Sequence, residues 1–351
     1  MGRPTSKPHE TNADAAGPAD AAAGGVTLAD VARLSGVSPI TVSRALNQPN
    51  IVSEHTRERV MEAVHRLGYL PNLAAGSLVT RRSHLVAALV PSISTLMFAR
   101  MIESFEARLR EHGYEVILGV TNYDIHREEQ LLQTILRRRP DAVFLTGVTH
   151  TAQSRSWLLG SGIPVVETWD LTRSPIDMLI GFSHEEIGRA TARFLLSKGY
   201  RRFGLLTTTE ERAQLREKGL IAELRAHPDA RHHTIHVLPP TTLRSGRAGL
   251  SELLETDFQP DAVVCSSDST AHGAIVEAIH RGCAVPGQLA VMGFGDMTSA
   301  ADIEPSLSTV RIDPAMIGAT AAQALLDKLE RGGHAERVVD LGFEICARAS
   351  T

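Results

Sequence analysis

Val26–Asn47 reads VTLADVARLSGVSPITVSRALN, and its spacing decides what the first part of the chain is. Thr27 is a good helix N-cap, and Leu28, Val31, Ala32 and Leu34 recur behind it at helical spacing. Gly36 supplies a tight reversal after Ser35. Ser38 and Pro39 then take the N-cap and first-turn positions of a second helix. On that helix Val42, Ala45 and Leu46 face inward, which leaves Ser38, Thr41, Ser43, Arg44 and Asn47 along an exposed edge. Short polar and forked side chains of this kind reach base edges and phosphates in a DNA major groove. The competing reading is an ordinary two-helix hairpin.

The flanking residues weigh against that hairpin. Ser53-Glu54 opens a third helix whose buried stripe is Thr56, Val60, Val64 and Leu67, and Gly68 closes it. Tyr69-Leu70-Pro71-Asn72-Leu73-Ala74-Ala75-Gly76-Ser77-Leu78 follows. Taken together, ADVARLSGVSPITVSRALN, VSEHTRERV and LGYLPNLAA closely resemble the DNA-binding headpiece of the lactose-repressor (LacI) family of bacterial regulators. The rest of the chain resembles that family's effector-binding core, so the likeness covers nearly everything after Gly25.

The resemblance implies a division into a leader (1–25), a helix-turn-helix headpiece (26–71), a hinge helix with linker (72–83) and an effector-binding, dimerising core (84–351). It implies a DNA-contacting set of Thr27, Ser38, Pro39, Ile40, Thr41, Ser43, Arg44, Asn47, Tyr69, Asn72, Ala75 and Leu78. Leu78 corresponds to the leucine that wedges into the minor groove and kinks the duplex. The family works as dimers on palindromic double-stranded operators. The tail after Glu344 is short and lacks leucine heptads, so a homodimer is expected rather than a tetramer. Pro39 and Ile40 depart from the lactose repressor, which has polar side chains at these two base-reading positions. Apolar contact with thymine methyls suits Ile40.

The bulk numbers fit this organisation. At 351 residues, 43% hydrophobic and 22% charged, the chain is long enough for more than one globular domain. No run approaches the roughly eighteen apolar residues of a membrane span, so no membrane partner is expected. Met1–Gly25 is rich in Ala, Gly and Pro with no apolar centre, and reads as a disordered leader rather than a signal peptide. Cys265, Cys283 and Cys346 form no disulfide pattern and suit a reducing cytoplasm. The net charge of −4 divides unevenly. Between Val26 and Arg82 seven arginines face four carboxylates, the leader carries −1, and the remainder −6. Positive charge therefore sits where phosphates would be met.

From His84 onward short apolar runs alternate with helical segments. Strands are expected at Leu85–Val90, Val116–Val120, Ala142–Thr146, Pro164–Glu167, Met178–Phe182, Phe203–Leu206, Ala262–Cys265 and Leu289–Gly293. Long helices are expected at His184–Lys198 and Pro314–Leu329. This alternation indicates parallel sheets covered on both faces. Around ten strands exceed one compact sheet, so two α/β subdomains are expected. The family resemblance implies two flavodoxin-like lobes of periplasmic-binding-protein type with a ligand in the cleft between them.

Ligands of open parallel sheets sit beyond the carboxyl ends of the strands, which makes the residues just after each strand the candidates. Phe98 is either an aromatic platform for a sugar ring or base, or a core residue. Thr149 and His150 end a row of hydroxyls after the third strand; such a turn also serves as helix capping. Asp170, after the fourth strand, resembles the family's acidic position facing the effector. Arg189, by alignment of GFSHEEIGR, takes the place of the family's effector-contacting arginine. Its planar fork of donors suits hydroxyls or a carboxylate, whereas most helix arginines lie in solvent. Asp268 stands where the family places its effector-binding aspartate, and is otherwise a helix N-cap. Asp296 is a weaker analogue, and Arg212 and Lys218 read as solvated helix residues.

His232, His233 and His236 have no Cys or carboxylate to complete a metal set and are assigned to an exposed loop and strand edge; no metal and no cofactor are expected. No nucleophile elbow, Walker loop or paired carboxylates support an enzyme. The segments LTGVTHT, IPVVETWD and VVDLGF resemble the gluconate-repressor branch. Together these readings describe a sequence-specific repressor whose operator affinity is set allosterically by gluconate or a related sugar acid. The rival, a solute-binding protein of a sugar transport system, would carry a signal peptide and no headpiece.

Overall fold

The computed structural model describes residues 26–70, 82–238, 241–331 and 337–351. The leader, most of the hinge, and Asn72, Ala75 and Leu78 lie outside the described residues. The chain divides into two compact units between Arg81 and Arg82.

The first unit holds three helices, α1 (Leu28–Ser35), α2 (Pro39–Asn47) and α3 (Glu54–Leu67). Thr27 and Asp30 cap α1 reciprocally: the Thr27 hydroxyl accepts from Asp30 N, and the Asp30 carboxylate accepts from Thr27 N at 3.0 Å. The Thr27 side chain, then its backbone amide, hold the Asp30 carboxyl below its usual range. Gly36 turns the chain with φ 66, and Arg59 of α3 donates to the Ser35 carbonyl beside it. A Cβ at Gly36 would lie 2.8 Å from that guanidinium, so both the dihedral and the space call for glycine. Ser38 caps α2 by accepting from Thr41 N, with Pro39 in the first turn. Val31, Val42 and Val60 are fully buried where the three helices meet, together with Ala45, Ala63 and Tyr69.

The second unit is built of two lobes. Strands β1 (Leu85–Val90), β2 (Glu115–Val120), β3 (Ala142–Thr146), β4 (Val165–Thr168), β5 (Met178–Gly181) and β11 (Val338–Asp340) form a parallel sheet in the order β2-β1-β3-β4-β5-β11. Strands β6 (Arg202–Thr207), β7 (Arg231–His236), β8 (Ala262–Cys265), β9 (Ala290–Phe294), β10 (Ser308–Arg311) and β12 (Glu344–Cys346) form the other, in the order β7-β6-β8-β9-β10-β12. Only β12 runs antiparallel, against β10. Both sheets follow the doubly wound, flavodoxin-like order, with near-continuous apolar strands such as LVAALV in β1.

Helices α4 (Leu96–Arg110), α5 (Ile125–Leu136) and α6 (Ala152–Ser161) belong to the first lobe, and α7 (His184–Ser197), α8 (Glu211–Leu224), α9 (Leu243–Glu255) and α10 (Asp268–His280) to the second. The last helix, α11 (Pro314–Arg331), returns to pack on α4. The chain therefore crosses between lobes three times, after β5, after β10 and between β11 and β12. One hydrophobic cluster runs through both lobes, from Val86 and Phe105 to Phe203, Met292 and Ile317.

Twelve strands occur among the described residues, two more than the ten or so expected. The histidine segment forms the edge strand β7, with Ile235 pointing inward and His232 and His236 outward. Strands β10 to β12 are short, and two of them are three-residue crossovers with no long apolar run to announce them.

Helices α7 and α8 approach backbone to backbone. A Cβ at Gly188 would lie 1.9 Å from the Arg216 carbonyl oxygen, and one at Gly219 would lie 2.0 Å from that of Glu185. Neither oxygen belongs to a side chain that can swing aside. Gly188→Ala is therefore expected to destabilise the second unit by at least the ~1–3 kcal/mol typical of overpacking; thermal unfolding of the variant at an unchanged midpoint would refute this packing.

Candidate functional site

On the headpiece, Thr27, Ser38, Pro39, Ile40, Arg44 and Asn47 are exposed, while Thr41 and Ser43 are half-buried. The hydroxyls of Thr27 and Ser38 cap their own helices, and Asn47 Nδ2 donates back to Ser43 O at 3.0 Å. The Arg44 guanidinium has no hydrogen-bond or ion-pair partner among the described residues, and Ile40 is 66% exposed on the first turn of α2. An apolar side chain and a cationic one thus stand exposed one turn apart on α2. Tyr69 differs: it is 8% exposed within the three-helix core, so its ring braces the headpiece instead of sharing that surface.

In the second unit a cavity of about 930 Å³ opens between the lobes. Its walls come from the carboxyl ends of β1, β2, β3 and β4 on one side and of β6, β8 and β9 on the other, as parallel sheets require. Three of the six expected effector residues, Thr149, Asp170 and Asp268, line it. Non-glycine residues with left-handed backbone gather here too: Asn122 and Tyr123 after β2, and Trp169 (φ 74) immediately before Asp170. A Cβ at Gly181 would lie 2.1 Å from the Asp170 carbonyl oxygen, so the neighbouring strand also constrains that turn.

Asp268 is sequestered with both oxygens engaged. Thr309 Oγ1 donates to Oδ1 at 2.5 Å and Met297 N to Oδ2 at 2.6 Å. Burial pushes its carboxyl up, and those two bonds offset part of the rise. The cap of α10 is Ser267, so Asp268 sits in the first turn with its carboxylate committed toward β9 and β10. Burial likewise raises Asp170, against a 2.8 Å bond from Leu171 N. Asp296 bridges Arg311 at 2.6 Å and Arg348 at 2.7 Å, a tie within the second lobe.

The other three candidates stand elsewhere. Phe98 is 5% exposed and packs edge-on against Trp169 at 5.0 Å, the core alternative. Arg189 lies on α7 away from the cavity, where its Nη2 donates to Glu185 Oε1 one turn back at 2.8 Å. His150 turns behind the wall: its side chain is 1% exposed, Nδ1 meets Glu128 Oε1 at 2.6 Å, and Nε2 faces Glu167 Oε1 at 3.3 Å.

The cations nearest the cavity are instead two arginines on α8, of which Arg212 lines it. Arg212, read from sequence as solvated, lines the cavity and donates from Nη2 to the Thr146 carbonyl of the opposite lobe at 3.0 Å. Arg216 lies deeper, its guanidinium carbon 3.9 Å from the Phe294 ring centroid, with Nη2 on the Ser266 carbonyl at 3.1 Å. Burial pulls its pKa down to about 10. The available signal was a pair of arginines four apart on a helix that opens just after a strand. A second bond across the cleft runs from Thr149 Oγ1 to Glu211 Oε1 at 2.9 Å.

A three-helix unit with helix-turn-helix geometry and, in the other unit, two α/β lobes around a polar cleft define the class of the DNA-binding regulators. Residues 27–72 match the profile of the bacterial regulatory proteins of the lacI family, and residues 192–351 match the periplasmic binding protein-like domain. The HTH-type transcriptional regulator GntR of Pseudomonas aeruginosa is 37% identical over 328 residues, 93% of this chain and 95% of that protein. A crystal structure of a LacI-family transcriptional regulator from Silicibacter pomeroyi superposes with a TM-score of 0.86 at 32% identity, covering 93% of this chain and 99% of the other. The lac repressor dimer bound to operator and the anti-inducer ONPF shares the fold at a TM-score of 0.78 and 24% identity, covering 93% and 99%. The chain belongs to the lacI family: it is a DNA-binding transcriptional regulator and not an enzyme. Among the described residues no helix is long and apolar enough to cross a membrane.

The His150 cluster makes stability depend on pH. Burial alone would lower the imidazole pKa, but the hydrogen bond to Glu128 and the nearby Glu167 carboxylate outweigh it and raise it to about 9 from 6.5. A group that binds its proton more tightly when folded stabilises fully below the unfolded pKa and loses that contribution as pH rises through the folded one. The stability difference between the wild type and His150→Gln should thus be largest below pH 6.5 and shrink toward pH 9.5. A difference that stays constant across urea melts over that range would show that folding leaves the imidazole's proton affinity unchanged.

Proposed function

We propose that this regulator is a repressor that binds a palindromic operator as a homodimer, and that a sugar acid such as gluconate in the cleft controls its grip on DNA. The observation that carries the effector class is Arg212. Among the described residues lining the cavity it is the one Lys, Arg or His, and it stands among hydroxyls and carboxylates. Hydroxyl-bearing and acidic groups suit a polyol, and a single guanidinium suits one carboxylate. A neutral sugar would offer that donor fork only hydroxyl oxygens, weaker acceptors than a carboxylate. The likeness of LTGVTHT and IPVVETWD to the gluconate-repressor branch points the same way.

The coupling follows from what Arg212 holds without ligand. Its bond to the Thr146 carbonyl ties α8 of one lobe to β3 of the other. A ligand carboxylate is the better acceptor and draws the guanidinium away, so the two lobe arrangements differ in ligand affinity. That difference is the free energy available to act on the hinges and on operator binding.

Two measurements test this reading. Thermal-shift and calorimetric titration should show stabilisation by gluconate or a ketogluconate, and Arg212→Gln should weaken that binding by more than tenfold; stabilisation only by a neutral sugar or a purine would sink it. In gel shifts with the promoter beside the gene, Arg44→Ala should weaken specific binding by roughly tenfold or more, the ~1–3 kcal/mol of one base-reading arginine. Specific binding that gluconate leaves unchanged would remove the allosteric role.

A further inference from the structure

We propose that Glu128 sets ligand choice in the cleft: its carboxylate, oriented by the buried His150–Glu167 pair behind it, accepts ligand hydroxyls and rejects a second anionic group. The inference rests on the sugar-acid reading of the cavity and goes one residue class deeper.

Glu128 lies in the first turn of α5 and is one of the residues lining the cavity. Only one of its oxygens is engaged, Oε1, which accepts from His150 Nδ1 at 2.6 Å. Oε2 has no hydrogen-bond partner among the described residues, so this cavity-lining carboxylate keeps an acceptor without a donor. On the same cavity lining, Thr146 Oγ1 is buried without any hydrogen-bond partner. A buried hydroxyl left unsatisfied costs on the order of 1–3 kcal/mol, which a bound donor or acceptor recovers. The Thr146 carbonyl is the group that Arg212 holds from the other lobe, so the orphan hydroxyl belongs to the residue already touched by the cation. A carboxylate seated on Arg212 places its neighbouring hydroxyls against this wall.

The second layer explains why the carboxylate stays put. The His150 ring sits between Glu128 and Glu167, and Glu167 is itself fully buried with Oε2 accepting from Ile176 N at 2.5 Å. Thr151, next in sequence, donates to Glu129 Oε2, which fixes the start of α5 against the turn before α6. His150 is thus a positioning residue, and the chemistry it points to the ligand is that of Glu128. Two carboxylates around one imidazolium leave a net negative wall. Such a wall favours hydroxyls and repels a terminal phosphate or a second carboxylate.

The test is calorimetric titration of the full-length protein with gluconate, 6-phosphogluconate and glucarate. Wild type should bind gluconate at least tenfold tighter than either doubly anionic probe, and Glu128→Gln, which keeps the volume, should bring that ratio to within about threefold. His150→Asn should reduce the ratio in wild type but add nothing in the Glu128→Gln background, a non-additivity that general loosening of the fold would not give. Circular dichroism melts establish that the variants fold; should Glu128→Gln fail to, Glu128→Ala takes its place with the same ratio expected. Equal wild-type binding of the three probes, or an unchanged ratio in folded Glu128→Gln, overturns the inference while leaving the sugar-acid reading intact. Wild type that binds none of the three overturns both.

Discussion

The floor of the cleft depends on one neutral imidazole. His184 opens α7, the first crossing between lobes, and is buried. Its Nε2 donates to the Trp169 carbonyl of the first lobe at 2.9 Å, and its Nδ1 accepts from Arg216 Nη1 of the second at 2.9 Å. Burial, and then the positive field of Arg216, hold its pKa well below the usual value. The tautomer is therefore fixed by its partners, because a guanidinium can only donate and a carbonyl can only accept. Rings continue the contact on both sides: Trp169 to Phe182 at 5.5 Å, Phe182 to His184 at 4.8 Å, and His184 to Phe294 at 6.1 Å. The wall that carries Asp170 and the wall that carries Phe294 are thus joined by one hydrogen-bonded ring at their base.

That joint also explains the composition of the interlobe core. A hinge between two sheets has few backbone bonds of its own, since the crossovers are single strands. The link is made instead by side chains that are large, rigid and directional, and the aromatic run supplies these at little cost in rotamer freedom. Small residues do the complementary task one layer out, where Gly188 and Gly219 let α7 and α8 meet along their backbones. A chain with only 4% aromatic residues has placed several of them in this one strip.

Much of the fold was legible because its signals were local. The caps at Thr27, Ser38 and Ser53, the reversal at Gly36 and the αL stop at Gly68 stand where side-chain chemistry put them. Ala142–Thr146 and Ala262–Cys265 coincide with their apolar runs, since a doubly covered strand must be apolar throughout. Strand β7 was read as loop and strand edge because an edge strand keeps one face wet, and RHHTIH buries only Ile235. The crossover strands β11 and β12 draw their order from neighbouring strands, which no window of a few residues contains.

The cleft was less legible, for a geometric reason. Sequence identifies which turn follows a strand, but consecutive residues leaving a strand point to opposite sides. Thr149 faces the cavity and His150, one residue later, faces the protein. Trp169 is swallowed by the core while Asp170 lines the opening. Chemical type misleads at such positions, because imidazole and guanidinium attract attention wherever they fall. Arg189 satisfies its own helix at Glu185, and the cation lining the cavity comes from α8, which meets α7 through the glycine contacts. The cavity is therefore written in pairs of neighbouring residues whose assignment is made by the sheet beneath them: one member lines the opening and the other packs behind it.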